Sequence, residues 1–393
     1  MAELDAVKDR LVAEVDRLAD VLIEASHDIH EHPELGFEEH HAHDLLTGIL
    51  EGEGLAVQRG AYDLPTAFVA EAGTSGPTIA VLCEYDALPG IGHACGHNVI
   101  ATAGLGAGLA AAALAAEVGG RVRILGTPAE EGGGGKVFMA ERGAFEGVDA
   151  AMMVHPAGAD LRSMNAIAIQ QVKVSYDGKA AHAAAAPQKG RNALDAAVLG
   201  YMNVAALRQH ISPDERVHGI FTKAGDAPNV VPDHTEALWY VRSPKFRRLD
   251  ALKARVLACL EAGATAAGCT MTHEWIDPAY ADLVDLDPFA DLYVANAARV
   301  GRTVGDHRLL PGIVGSTDMG NVSHLVPSIH PMIQVSPPNI AIHTQDFVRF
   351  AGGEAGDQAV LDGAKAMAMT VADLWLQPGA LAAVRAAFEV ADR

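Results

Sequence analysis

Residues able to do chemistry are concentrated in Cys83–Asn98, which reads CEYDALPGIGHACGHN. Cys95 and His97 stand two apart beside Gly92 and Gly96, in a loop that can bring a thiolate and an imidazole to one point, as a transition-metal site requires. Alone, Cys-x-His equally describes a polar loop around a buried structural cysteine. A second stretch, TPAEEGGGGK, sets Glu130 beside Glu131. Two adjacent carboxylates serve one metal poorly, but they suit a division of labour in which one ligates and the other holds or activates a water. The glycines that follow let backbone and substrate approach closely. A phosphate-binding loop is excluded, because its motif needs Gly at 130 and Ser or Thr at 137, where this chain has Glu and Val. His155 and His343 each follow an apolar, strand-like run. With Cys95, His97 and Glu131 they form five candidate ligands, more than one tetrahedral zinc uses and suited to a two-metal centre.

These side chains need a scaffold, and the pattern of the chain predicts one. Residues 4–24 have helical periodicity. HDIHEHPELGFEEHHAH then carries six histidines between His27 and His43, but Pro33 and Gly36 interrupt it, which favours solvated or supporting histidines over a ligand cluster. Thr66–Glu71, Ile79–Cys83, Arg121–Gly126 and Ala150–Val154 read as strands, with an Ala/Gly-rich helix over Val99–Gly120. Strands alternating with helices predict a largely parallel sheet, whose ligands bind beyond the carboxyl ends of strands. Cys95/His97, Glu130/Glu131 and His155 all lie just past such ends.

From Ile167 the rhythm changes to strand, helix, strand, strand, helix, strand, ending near Trp275, the order of a ferredoxin-like module. The expected organisation is a catalytic domain over 1–166 and 283–393, α/β with a mostly parallel sheet. It is interrupted by an inserted α+β (βαββαβ) lid or dimerisation domain over 167–282. After it, Pro288–Arg299 reads as a helix, GIVGSTDMGNVSH as a loop, Met332–Val335 as a strand, and Gln358–Leu376 and Ala380–Val390 as helices.

At 393 residues the chain exceeds one small core. Half its residues are apolar and 20% are charged, as in a globular enzyme. A net charge of −21 argues against nucleic acid and anionic membrane surfaces as partners. Cys83, Cys95, Cys259 and Cys269 contain no CxxC pair, so no disulfide framework is expected. The N-terminus is amphipathic and acidic where a signal peptide would be basic and then apolar. Val99–Gly120 is Ala/Gly-rich and reads as a buried helix, not a membrane span. Cytoplasmic placement is the expectation.

GHACGHN, PAEEGGGGK, VHP and IHTQDF, in this order around an inserted module, resemble the peptidase M-twenty metallohydrolases over essentially the whole chain. The Cys-x-His form is similar to the auxin-conjugate hydrolase branch, and the longer EYDALPGIGHACGHN most resembles the sub-branch of β-alanyl dipeptide and aminobenzoyl-glutamate hydrolases. The resemblance implies Cys95, His97, Glu131, His155 and His343 as metal ligands. It implies Glu130 as the general base that takes a proton from the activated water and carries it to the leaving amine. It implies His182, in GKAAHAAAAP, as a residue that reaches a neighbouring subunit's site to stabilise the oxyanion, and hence a homodimer. Asn229 and Arg242 match positions that bind a substrate carboxylate, for which the planar fork of arginine is suited. Two departures stand out. Glu84-Tyr85-Asp86 replaces the His-x-Asp of the wider family, and Asn98 replaces the Asp usual in the auxin-conjugate branch.

The function expected is therefore a metal-dependent hydrolase of dipeptides or N-acyl amino acids with a free carboxylate. Two divalent metals per chain are expected, zinc favoured by the thiolate, with manganese, cobalt or nickel also able to serve. Two other readings compete. A cysteine hydrolase with Cys95 as nucleophile and His97 or His93 as base leaves Glu130, Glu131, His155 and His343 unexplained. A non-catalytic binding protein on the same fold would be expected to have lost Glu130.

Overall fold

The computed structural model describes residues 2–309 and 315–393. The chain divides into two compact units, Met1–Asn165 with Leu283–Asp392, and Ala166–Asp282.

The first unit is built on a six-stranded sheet. Its central strand, Thr78–Glu84 (TIAVLCE), is buried at every position, the signature of a strand covered on both faces. Parallel partners flank it: Arg121–Thr127 on one side and Ala150–Met152 on the other. Ser328–Ile329 extends the parallel part, and Phe68–Ala72 and Val57–Arg59 complete the other edge in antiparallel pairing. The fold is thus α/β with a mostly parallel central sheet, as expected from the sequence.

Helix His97–Val118 packs on this sheet, and its small residues explain how closely. A Cβ at Gly104 would lie 2.4 Å from Leu82 O, and one at Gly108 would lie 2.6 Å from Ile124 Cγ1. Glycine here brings the helix backbone onto the strands and so fixes where its first residue, His97, emerges. Among the described residues this helix is long and apolar enough to cross a membrane, yet it is mostly buried in the unit. Asn98 is buried and donates to Ser26 Oγ and Ala351 O, both at 2.9 Å. An amide that ties three segments together accounts for the Asn found at this position.

Several elements differ from the sequence reading. The N-terminal helix is two, Ala2–Arg17 and Ala19–Glu31. The strand expected to end at Val154 stops at Met152, and His155 opens a separate short strand, His155–Ala157, paired in parallel with Met332–Gln334. In the stretch read as a loop, residues 312–314 lie outside the described residues, and Met319–Leu325 is a helix. Its roughly two turns and its glycine content left too short a periodic signal to read.

The second unit is a four-stranded antiparallel sheet in the order Thr270–Tyr280, Ala168–Asp177, His234–Ser243, Arg216–Lys223. Helices Ala193–Leu207 and Phe246–Ala267 pack on one face. Asn192 caps the first of them, accepting from Leu194 N at 2.9 Å and Asp195 N at 3.3 Å. Alternate residues of the His234–Ser243 strand, including Trp239 and Val241, fill the core beneath them.

Candidate metal centre

The end of the central strand leads into the Cys83–Asn98 loop, and the donors gather there. Gly96, at φ 79°, precedes the helix that starts with His97. A Cβ at this position would lie 2.8 Å from Pro156 Cγ. Glycine therefore supplies both the left-handed turn and the room for the His155–Pro156 strand to come alongside. Cys95 Sγ lies 3.3 Å from His155 Nε2 and 3.3 Å from His343 Nε2. His343 Nε2 is 3.2 Å from Glu131 Oε1, and His97 Nε2 is 3.9 Å from the same oxygen. The five residues expected as ligands are brought together as two overlapping groups. Donor atoms of Cys95, His97 and His155 lie within 4.8 Å of one another, and so do those of Cys95, Glu131 and His343.

The backbone holds this arrangement under strain at two places. His343 has φ 63° and Ala129, just before Glu130, has φ 57°. Left-handed conformations are uncommon for residues with a side chain and persist where surrounding contacts enforce them. His343 N–H donates to Ala94 O at 2.8 Å, pinning the histidine to the cysteine loop. Ala129 N–H donates to Glu39 Oε1 at 2.8 Å, and Glu39 Oε2 accepts from Thr66 Oγ1 at 2.8 Å.

Asp86 organises the interior side. Its Oδ1 is 3.2 Å from His97 Nδ1 and accepts Glu130 N–H at 3.0 Å, while Oδ2 accepts Glu131 N–H at 2.9 Å. Burial opposes its charge, but His97 and the two amides hold its carboxyl below the ordinary value. Asp86 thereby fixes the His97 ring, with Nδ1 against the carboxylate and Nε2 turned toward the other donors. His155 is set in the same way: Nδ1 faces Pro156 O at 2.8 Å, so Nε2 points at Cys95. Burial, assisted by His97, pulls His155 down to about 4, so it is neutral near pH 7.

The residues present fit a cation. His97 Nε2, Glu84 Oε1 and Glu131 Oε1 are buried atoms that make no hydrogen bond of proper geometry. Such atoms cost free energy unless something else satisfies them. A mixed set of sulfur, imidazole and carboxylate donors is of the kind transition metals take.

Glu130 sits at the edge of the donors and is 8% exposed. Burial, with the Glu84 and Glu131 charges beside it, raises its carboxyl well above the ordinary value. A carboxylate so placed is suited to accept and release a proton. Behind it lie residues that the sequence reading did not single out. Lys136 is fully buried, forms an ion pair with Glu84, and lies 2.7 Å from Asp318 Oδ1. The available signal was a lysine closing a run of glycines, which pattern reading could test only against the phosphate-loop motif.

His182, Asn229 and Arg242 belong to the second unit. His182 is exposed, and its Nδ1 accepts from Ala184 N at 3.3 Å and Ala185 N at 3.1 Å. A neutral ring with an accepting Nδ1 carries its proton on Nε2, free to donate. Ala183 N–H donates to Asn229 O at 3.0 Å, so the His182 and Asn229 loops are joined. Arg242 is half-buried, its guanidinium 5.5 Å from the Tyr240 ring centroid, with a buried Nε that lacks a hydrogen-bond partner. Asp28, His32 and His41 form a separate surface group. There Asp28 Oδ1 lies 2.7 Å from His32 Nδ1 and 2.9 Å from His41 Nε2.

Comparison with known proteins places this geometry. Residues 80–372 match the peptidase family M20/M25/M40. The chain belongs to that family. It is 41% identical over 403 residues to a mouse Xaa-Arg dipeptidase, covering 99% of this chain and 93% of the relative. It is 37% identical over 279 residues to one subunit of an Escherichia coli p-aminobenzoyl-glutamate hydrolase, covering 66% of this chain and 57% of the relative. Among solved structures, a Bacillus subtilis dinuclear metal-binding peptidase of the same family superposes with a TM-score of 0.71 at 22% identity, covering 91% of this chain and 99% of that one. At that identity the likeness bears on the fold. This member of the family is a hydrolase of the dipeptidase and amidohydrolase class.

Proposed function

We propose that this chain is a dinuclear metallohydrolase that cleaves the amide bond of dipeptides or N-acyl amino acids bearing a free carboxylate. The observation that carries the reading is the convergence of Cys95, His97, Glu131, His155 and His343, with two buried donor atoms, His97 Nε2 and Glu131 Oε1, left without a hydrogen-bond partner. These five residues would hold a divalent metal pair, zinc favoured by the thiolate, which supplies an acidified water and polarises the scissile carbonyl. Glu130 takes the water's proton and passes it to the leaving amine. Asp86 holds the His97 ring so that it presents Nε2. His182 Nε2–H donates to the developing oxyanion, and Arg242 with Asn229 receives the substrate carboxylate.

The strong match to the Xaa-Arg dipeptidases of mouse and human supports a substrate with a basic C-terminal residue. A net charge of −21 favours the approach of such cationic substrates. The His182 role belongs to a homodimer in which this residue serves the partner's site.

The deciding experiment is metal content by mass spectrometry, paired with hydrolysis of Xaa-Arg dipeptides, other dipeptides and N-acyl amino acids before and after chelation. Near two metals per chain, with activity lost to chelator and restored by metal, is the expected result. Protein that binds no metal and stays inactive after zinc or manganese is added refutes the reading. Activity that survives chelation but is lost to thiol alkylation would transfer it to Cys95 as a nucleophile.

A further inference from the structure

Glu84 stands at the carboxyl end of the central strand, where the wider family resembled by this sequence has a histidine. Its side chain is 1% exposed. Oε2 is held by the Lys136 ammonium. Lys136 is itself anchored by Asp318, which takes the ammonium on Oδ1 at 2.7 Å and the Lys136 backbone N–H on Oδ2 at 2.9 Å. The clamp thus fixes one oxygen of Glu84 and leaves the other, Oε1, directed at His97.

Glu84 Oε1 and His97 Nε2 lie 3.2 Å apart, yet neither makes a hydrogen bond of proper geometry, and both are buried. His97 Nδ1 already faces Asp86. Two buried polar atoms that converge from opposite sides without a hydrogen bond of proper geometry are placed as two ligands of one cation are. Donors on one tetrahedral zinc, each about 2.0–2.2 Å from it, stand roughly 3.3–3.5 Å apart. Glu84, His97 and Glu130 also form a buried group with donor atoms within 4.8 Å, and it shares His97 with the Cys95–His97–His155 group.

We propose that Glu84 is a further ligand of the metal held by Cys95, His97 and His155, and that Lys136 and Asp318 are the positioning residues that present Oε1 to it. This rests on the metal-centre reading above. In this chain a carboxylate with its own counter-ion stands in for the neutral ligand expected at position 84, and it reaches the metal beside His97.

The test measures the stoichiometry and affinity of cobalt and zinc, by chelator competition, in the full-length protein, together with the visible spectrum of the cobalt form. The proteins compared are wild type, Glu84→Gln, and the charge-balanced double variant Glu84→Gln/Lys136→Met, with circular dichroism to verify folding. The expected result is two metals in wild type and, in both variants, at least a tenfold loss of affinity for one metal, a changed cobalt spectrum, and the second metal unaffected. If either folded variant binds both metals with wild-type affinity and spectrum, Glu84 is a structural ion-pair partner and the proposal is overturned. Wild-type protein that binds no metal would instead overturn the metal-centre reading itself, and this proposal with it.

Discussion

Asp86 and His97 meet at 3.2 Å inside the first unit, and the same carboxylate receives the backbone N–H groups of Glu130 and Glu131. One buried side chain therefore sets the orientation of a candidate ligand and the position of the candidate base. Asp86→Asn keeps the size but loses the charge. It should weaken metal affinity by about 10- to 100-fold, the usual cost of losing such an outer partner. Chelator competition checks this, and wild-type affinity would remove Asp86 from the site.

Glu130→Gln should leave both metals in place and lower kcat by roughly 10²–10⁴-fold, the range attributed to general acid–base catalysis. Metal content and steady-state kinetics on one preparation separate the two effects. Undiminished kcat would exclude Glu130 as the base.

Mixing inactive His182→Ala with inactive Glu130→Ala should restore partial activity. In a mixed dimer one site receives an intact Glu130 from its own chain and an intact His182 from the other. Activity that never rises above that of the separate variants argues that His182 acts within its own chain or not at all.

Arg242→Ala should raise KM for carboxylate substrates by tenfold or more and leave KM for the corresponding C-terminal amides nearly unchanged. Arg242→Lys should recover only part of the loss, since an ammonium cannot meet both oxygens as a guanidinium does. Equal effects on acid and amide substrates would refute carboxylate recognition.

Glu39 gives a pH signature in stability. Burial, then the charge of Asp86, pushes its carboxyl up to about 7. The folded chain holds this proton more tightly than the unfolded chain, so the stabilisation is complete below the ordinary glutamate range. It is lost as pH rises from there through about 7. The loss is of the order of 3 kcal/mol. Urea unfolding at pH 5 and pH 8 should show this fall in wild type and a much smaller one in Glu39→Gln. Equal falls in the two proteins would exclude Glu39 as the source.

Much of the α/β scaffold was legible because its signals are local. Ile79–Cys83 is a β-rich apolar run and reads as a strand, and it lies within the central strand Thr78–Glu84, which is buried at every position. The strand, helix, strand, strand, helix, strand order read from Ile167 is the element order observed, because turn residues flank each β-rich run. The Met319–Leu325 helix escaped because seven residues containing glycine and serine carry almost no periodicity.

At the candidate site, residue types in the Cys95–His97 loop and the Glu130-Glu131 pair announced donors and a base without any structure. Their partners could not be found that way. Glu84, Lys136 and Asp318 are separated by dozens or hundreds of residues, and nothing in a charged residue's type says that it will be buried. Glu84 looked like a missing ligand until the fold placed its free oxygen 3.2 Å from His97 Nε2. Residue types and local patterning were enough for the chemical groups present, the alternation of strands and helices, and the family. Tertiary structure alone decided which oxygen faces which nitrogen, because those distances depend on how glycines such as Gly96 and Gly104 let distant backbones approach.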